Sequence, residues 1–566
     1  MEKIKHNRLL MLILGVLIVL VIAISAIAIK KLVPSKKVMD LKEYYKVDSD
    51  KVMVILQNKV SDEQGLYLDG VAYVDYETVR EYLNHRFYWD THENLLIFTT
   101  QSEVIKTEIG SKDYYVNKSK STVPYQIVKT IGDKVYVALN YVKLFSNIEY
   151  EVYEEPNRVV IQYDWGQDYL YSKVKKATQL RCGASIKKDI LVQLKEGAVL
   201  TYVDTEEVKD AKFKMVMTQD GVIGYVKGKH VTAAEYQTLQ NNYVEEKYSH
   251  ISKEYTISLG WHQVTNQDAN NNLLTVLDQS KGINTISPTW FSVTSNEGTI
   301  SSLASENYVT RAHNSGVEVW ALCDDFNKEV DMNQLLSYTS RREKLENELI
   351  ASAIKYDLDG INIDFENITS KSAQHYIQFL RELSIKCRNN GIVLSVDNYV
   401  PAPYNSFYDL KEQGQIVDYV VIMAYDEHHG NSEESGSVSS IGYFRDAIDN
   451  TLKDVDKERV VVGLPFYTRI WTEKADGKVS SAAYGMGQSR AVIDANGAKI
   501  QWNEETGQHY AEFKTEEGLN KVWLEDDKSV ELRMKAASDA GVAGTAYWKL
   551  GMEKSSVWNI IQKFIN

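Results

Sequence analysis

A chain of 566 residues is too long for one compact core and predicts about three to five domains. Its 44% hydrophobic and 25% charged residues are the proportions of folded protein, which excludes a disordered or collagen-like chain. A formal net charge of −14 argues against a nucleic-acid partner, which needs a basic face, and leaves an uncharged partner such as a glycan better placed.

Residues 9–29 carry no charge and are long enough to cross a bilayer as a helix. With Lys3, Lys5 and Arg8 in front, the reading is a cytoplasmic tail (1–8), a transmembrane signal anchor (9–29) and a linker (30–45). Lys30, Lys31, Lys36 and Lys37 follow at once and blur the orientation signal. The alternative is a secreted protein, cleaved at Ala26-Ile27-Ala28. The expectation is a single-pass cell-membrane protein with everything after about residue 40 outside the cytoplasm.

Residues 46–165 alternate strand-like runs (51–56, 71–74, 95–98, 135–138) with helical patches at 76–83 and 139–145. Leu68-Asp69-Gly70-Val71-Ala72-Tyr73-Val74, with Tyr88-Trp89-Asp90 and Ile97-Phe98-Thr99-Thr100, resembles the small α+β module named after the N-terminal domain of copper amine oxidases. The name implies no copper here, because His85 and His92 are isolated. Residues 174–240 read as a further β unit, closing in Asp220-Gly221-Val222-Ile223-Gly224-Tyr225-Val226; that order resembles bacterial SH3-like β-barrel domains. The roles implied are a spacer or a wall-binding module.

From about residue 250 to 566, strands alternate with amphipathic helices, the pattern of a parallel α/β fold. Eight strand candidates, at 257–261, 285–291, 317–322, 359–366, 393–397, 419–425, 460–466 and 544–548, predict a (β/α)8 TIM barrel. The rhythm lapses at about 472–518, which places a small insertion after strand seven. Between strands four and five, Tyr376, Leu380, Leu383 and Cys387 recur at helical spacing, and Gly391 falls where a helix would end.

The fourth strand, Asp359 to Glu366, is the informative one. Alternation puts Ile361, Ile363 and Phe365 on one face and Asn362, Asp364 and Glu366 on the other. In a barrel the apolar face meets helices, so the acidic face points to the axis, where carboxylates are costly unless they serve chemistry. Cys182, Cys323 and Cys387 have neither CxxC nor His-linked spacing and read as buried small hydrophobes. His428 and His429 read as solvated. No metal and no cofactor is expected.

Asp359, Asp364 and Glu366 resemble the Asp-x-x-Asp-x-Asp-x-Glu signature of glycoside hydrolase family 18, the chitinase-like barrels, with Asn362 in place of the second Asp. Met423-Ala424-Tyr425-Asp426, Gly463 to Arg469 and Ala546 to Gly551 carry the likeness to three further strand ends. The resemblance implies Glu366 as general acid and base, an acetamido group of the substrate as nucleophile, Asp364 orienting it and Tyr425 hydrogen-bonding its oxygen. It implies Trp548 as a stacking floor and a substrate-binding set of Asp359, Asn362, Met423, Asp426, Tyr467, Arg469 and Trp290, with Trp261 and Trp471 as further subsites or core. Without a like charge at 362, Asp364 is expected to lose one reason to hold a proton. Asp397 reads as a structural strand-end residue. The variant strand resembles the spore-cortex and peptidoglycan N-acetylglucosaminidase branch, so a wall glycan is the expected partner. Chitin, other N-acetylglucosamine glycans, and a lectin-like protein without turnover are the alternatives.

Overall fold

The computed structural model describes residues 2–203 and 212–565. Met1 of the predicted tail, residues 204–211 of the second β unit, and Asn566 lie outside the described residues, as do the side chains at 2, 3 and 5, where the basic flank was read, and at 26–29, where the cleavage site was read. The chain divides into two compact units, one of residues 1–89 and 106–245, the other of residues 90–105 and 246–566.

In the first unit, Glu2–Leu32 is one helix, and His6–Leu32 is long and apolar enough to cross a membrane. The 30–45 stretch is not the free linker its position suggested. Its helix Leu41–Tyr45 is capped by Asp40, and Met39, Leu41 and Tyr44 pack on the core of the second β unit. Lys37 and Met39 exchange backbone hydrogen bonds with Ile190, so the segment is held as an added edge. The first module pairs Lys51–Leu56 in parallel with Arg158–Gln162, and its helical patches fall at Tyr76–Leu83 and Leu139–Phe145 as predicted. Asp69 and Gly70 both have positive φ, so Leu68 and Val71 face each other across a two-residue hairpin of the type that Asp-Gly favours. Among the described residues of 168–203 and 212–238, seven strands form one antiparallel sheet.

In the second unit, eight parallel strands close on themselves: β1 Ile257–His262, β2 Thr285–Val293, β3 Glu318–Asp324, β4 Gly360–Asp364, β5 Val393–Tyr399, β6 Tyr419–Met423, β7 Val460–Pro465 and β8 Gly544–Trp548. Pairing of β1 with both β2 and β8 makes the closure. Two cores follow from strand alternation. Ile361, Ile363 and Phe365 join Phe379, Leu380 and Leu383 in the layer between barrel and helices, whereas Leu259, Trp261, Trp320, Leu322, Val421 and Ala546 fill the interior. Gly360 is required because a Cβ there would lie 2.7 Å from the Trp320 ring. Helix Ala373–Asn389 buries Tyr376, Leu380, Leu383 and Cys387, and Gly391 follows at φ +69.

Two boundaries differ from the sequence reading. The insertion runs from Tyr467 to Leu524, a five-stranded sheet with one helix and its own core, because β7 already ends at Pro465. Tyr467 and Arg469 therefore sit on the insertion's first strand. Residues 90–105, assigned to the N-terminal module by sequence, group with the barrel: the Asp90 carboxylate accepts from the backbone N–H and hydroxyl of Thr339, at 2.7 and 2.5 Å, where helix Thr339–Tyr356 starts. Cys323 and Cys387 are buried as expected, but Cys182 is half-exposed. His428 is half-buried against Trp471 and bonded to the Ser437 carbonyl, because the insertion covers it.

Candidate active site

The C-terminal ends of the strands surround a cavity of about 200 Å³, lined by Trp261, Asp364, Glu366, Asp397, Tyr399, Tyr425, Asp426 and Trp548 together with Phe326 and Met423. Six of these were predicted as catalytic or substrate-binding. They reach one place because they lie at or just beyond the C-terminal ends of β1, β3, β4, β5, β6 and β8, which open on the same mouth of the barrel.

Beneath the cavity lies a hydrogen-bonded layer. Asn362 is wholly buried; its carbonyl oxygen accepts from Trp261 Nε1 and Ser287 Oγ, each at 3.1 Å, and its amide donates to Asp397 Oδ1 at 2.8 Å. Glu366 accepts a hydrogen bond from the Tyr399 hydroxyl. Its backbone N–H donates to Asp325 Oδ1 at 2.9 Å, and Asp325 also takes the Asn367 N–H, so a buried carboxylate at the end of β3 fixes the turn that carries the acid. Asp426, at φ +59, accepts from Tyr467 at 2.5 Å. Such a left-handed non-glycine residue costs free energy that its surroundings must offset, and here it brings a carboxylate back over the mouth.

Burial dominates the electrostatics. Asp364 is pushed well above the usual carboxylate range, first by desolvation, then by the charges of Asp397, Glu366 and Asp325. Its Oδ1 is buried with no hydrogen-bond partner among the described residues. Burial also raises Glu366, partly offset by the Tyr399 bond and reinforced by Asp426 and Asp324. Asp397 rises to about 8 and Asp325 to about 6, desolvation leading in both. Asn362 adds no charge, and the like charges acting on Asp364 come from Asp397 on the neighbouring strand, then Glu366 and Asp325. One expectation falls here. Asp397 is itself part of the cavity wall rather than scaffolding.

Other predicted residues lie elsewhere. Asp359 is at the opposite end of β4, where it accepts from His313 Nε2 and the Val319 N–H, both at 2.8 Å; it ties the strand's entry and does not reach the mouth. Trp290 faces the helices, edge-on to Tyr308 at 4.8 Å and donating to Asn270, because the register shift in β2 turns it outward. Asn362 lies a layer below the cavity, and Trp471 is buried in the insertion, bonded to the Gly436 carbonyl. Arg469 donates to Ser481 and does not line the cavity. The sequence reading missed Tyr399, Phe326 and Asp325 and misjudged Asp397. The inward parity of Ser395, Asp397 and Tyr399 would have found two of them. Among the described residues, no group of three His, Cys, Asp or Glu side chains is placed to hold a metal ion.

A strand-end mouth that offers carboxyls and aromatic rings, with no cation among the residues lining its cavity, suits a sugar ring and the charge that builds at its anomeric carbon. The class this defines is glycoside hydrolase. The chain belongs to the family described as glycosyl hydrolases family 18, whose profile matches residues 222–553. Residues 54–162 match the copper amine oxidase N-terminal domain. The uncharacterized glycosylase YvbX of Bacillus subtilis is 27% identical over 272 residues, covering 45% of this chain and 77% of that one. The cortical fragment-lytic enzyme of the same organism is 27% identical over 243 residues, 41% of this chain, which thus spans little more than half (56%) of that relative. The solved structure of the Bacillus cereus spore cortex-lytic enzyme SleL shares the fold, with a TM-score of 0.50 at 19% identity over 59% of this chain and 77% of that one.

Proposed function

We propose that the barrel cleaves β-linked N-acetylglucosamine in peptidoglycan, using the substrate's own acetamido group. The observation that carries this reading is Asp364: a buried carboxyl oxygen without a partner among the described residues, on the same cavity as Glu366 and Tyr425. An acetamido N–H supplies the missing donor. Glu366, raised by burial, gives its proton to the departing glycosidic oxygen as the acetamido oxygen bonds to C1 and the C1–O bond breaks. Asp364 takes up the N–H of the resulting oxazolinium ion, and the Tyr425 hydroxyl donates to its oxygen until closure. Water then adds at C1 and gives its proton to Glu366, reopening the ring with the anomeric configuration retained. The half-buried ring of Trp548, which lines the cavity at 68° to Trp261, serves as the stacking surface. Similarity to a cortical fragment-lytic enzyme and a glycosylase favours a wall glycan over chitin.

We infer that residues 9–29 anchor the enzyme in the cell membrane with the barrel outside the cytoplasm. In this organisation residues 46–165, of which 90–105 group with the barrel unit, carry the copper amine oxidase N-terminal-like module, and residues 174–240 an SH3-like domain, both following the anchor in chain order. The test is digestion of purified peptidoglycan followed by mass spectrometry. The full chain releases fragments with N-acetylglucosamine at the reducing end, and Glu366→Gln lowers that rate by about 10²-fold or more while still binding the glycan. Fragments ending in muramic acid, or an active Glu366→Gln chain, contradict the reading.

A further inference from the structure

The first unit contains a second cleft, of about 520 Å³, that the hydrolase reading does not use. Strand alternation builds its two walls. Along Asp168–Lys173, Leu170 points into the sheet's core while Tyr169 and Tyr171 point out; opposite them on Val199–Tyr202, Leu200 and Tyr202 are core while Val199 and Thr201 point out. The facing wall is made likewise by Gln162 on Arg158–Gln162 and by Glu149, Glu151 and Tyr153 on Glu149–Tyr153. Tyr150 adds a fourth half-buried ring.

The cleft is preformed. A shared core of Met53, Ile55, Val160, Met217 and Ile223 joins the two β modules beneath it. The Asn58 amide donates to the Tyr202 carbonyl at 2.8 Å, and Arg158 donates to the carbonyl and carboxylate of Asp220 at 2.9 and 3.1 Å. Gly221 fits against Ile55 only because it lacks a Cβ, which would come within 2.5 Å of that side chain. A rigid floor lowers the ordering cost of binding.

Its chemistry selects the occupant. Four tyrosines give flat rings with polar edges, and Gln57, Asn58, Gln162 and Gln219 supply amide donors and acceptors. Among the described residues no Lys or Arg lines the cleft, and its charged residues are Glu149, which pairs with Lys143, and Glu151; this disfavours phosphate, nucleic acid or anionic polymer. The volume lies within the range of about 300–1,000 Å³ typical of ligand sites and accommodates a short saccharide. We propose that this cleft binds an uncharged stretch of N-acetylated glycan, a second foothold on the polymer that the barrel cleaves. The choice of polymer rests on the hydrolase reading; the cleft itself does not. Two sites on one chain raise the effective concentration of insoluble substrate at the barrel.

The test is isothermal titration of the full-length Glu366→Gln chain in detergent with the N-acetylglucosamine tetramer. Two classes of site are expected. Tyr169→Ala/Tyr171→Ala weakens one class at least about tenfold and leaves the other, and Thr201→Arg, which fills the cleft without removing a ring, does the same with an unchanged circular dichroism spectrum. Loss of the barrel class alone counts against the hydrolase reading and leaves the cleft standing. A tetramer affinity that neither variant changes, or a cleft that takes a free stem peptide in place of the tetramer, overturns the proposal.

Discussion

At the scale of residues, the site turns on where one carboxylate went. A family-pattern Asp is replaced by Asn362, yet the buried layer keeps an amide and a carboxylate in hydrogen bond, with the acid on β5 as Asp397. Asp397→Asn is expected to cut kcat by about tenfold or more and to move the pH profile, since it removes one of the buried carboxyls that titrate together with Asp364. The exchange Asn362→Asp/Asp397→Asn returns the pair to the cavity floor in mirrored order and restores kcat to within about threefold of the parent. Steady-state rates across pH check both; a double variant no better than Asp397→Asn shows that the layer is not interchangeable. The acidic face of the fourth strand was legible because alternation needs only the sequence. The pairing of Asn362 with Asp397 was not, because hydrogen bonds between neighbouring strands depend on register.

At the scale of elements, all eight barrel strands were legible, since each is a short apolar or alternating run that stands out from the helical spacing around it. Misreadings arose where parity or direction was assumed. Asp359 begins the strand that Glu366 follows, so it sits at the far end of the barrel; Trp290 lies beside a register shift that turns it toward the helices. The insertion's edges were blurred because Tyr467 continues the chain from β7 without a turn signal. The closing seam between β8 and β1 depends on Gly544, where a Cβ would come 2.2 Å from the Ile257 carbonyl oxygen. Backbone cannot yield as a side-chain tip can. Gly544→Ala is expected to destabilise the barrel by about 1–3 kcal/mol or more in urea unfolding followed by tryptophan fluorescence. Gly487→Ala, with open space around its helical Cβ, is expected to be neutral or slightly stabilising. Equal midpoints for the two would show that the seam is not closely packed.

At the scale of the whole molecule, the active site costs stability. Asp397 and Asp325 keep their protons to about 8 and about 6 in the folded state, whereas an unfolded chain releases them near the ordinary 3.8. Over that interval the folded form binds more protons, so these groups make stability fall as pH rises. Asp364, Glu366, Asp325 and Asp397 bear on one another here, so the slope belongs to the group. The thermal midpoint of the parent is expected to drop more than that of Asp397→Asn between about pH 5 and about pH 9, the variant gaining relative stability as it loses activity. Parallel melting curves against pH would contradict this. The measurement that tests the account most directly varies the substrate's own amide. In a series of aryl N-acetylglucosaminides whose acetyl group carries none to three fluorines, the amide oxygen becomes a steadily poorer nucleophile. If that oxygen attacks C1, kcat/KM falls with each fluorine, by about 10²-fold or more across the series; a rate indifferent to fluorination would place the nucleophile elsewhere and remove the role assigned to Asp364.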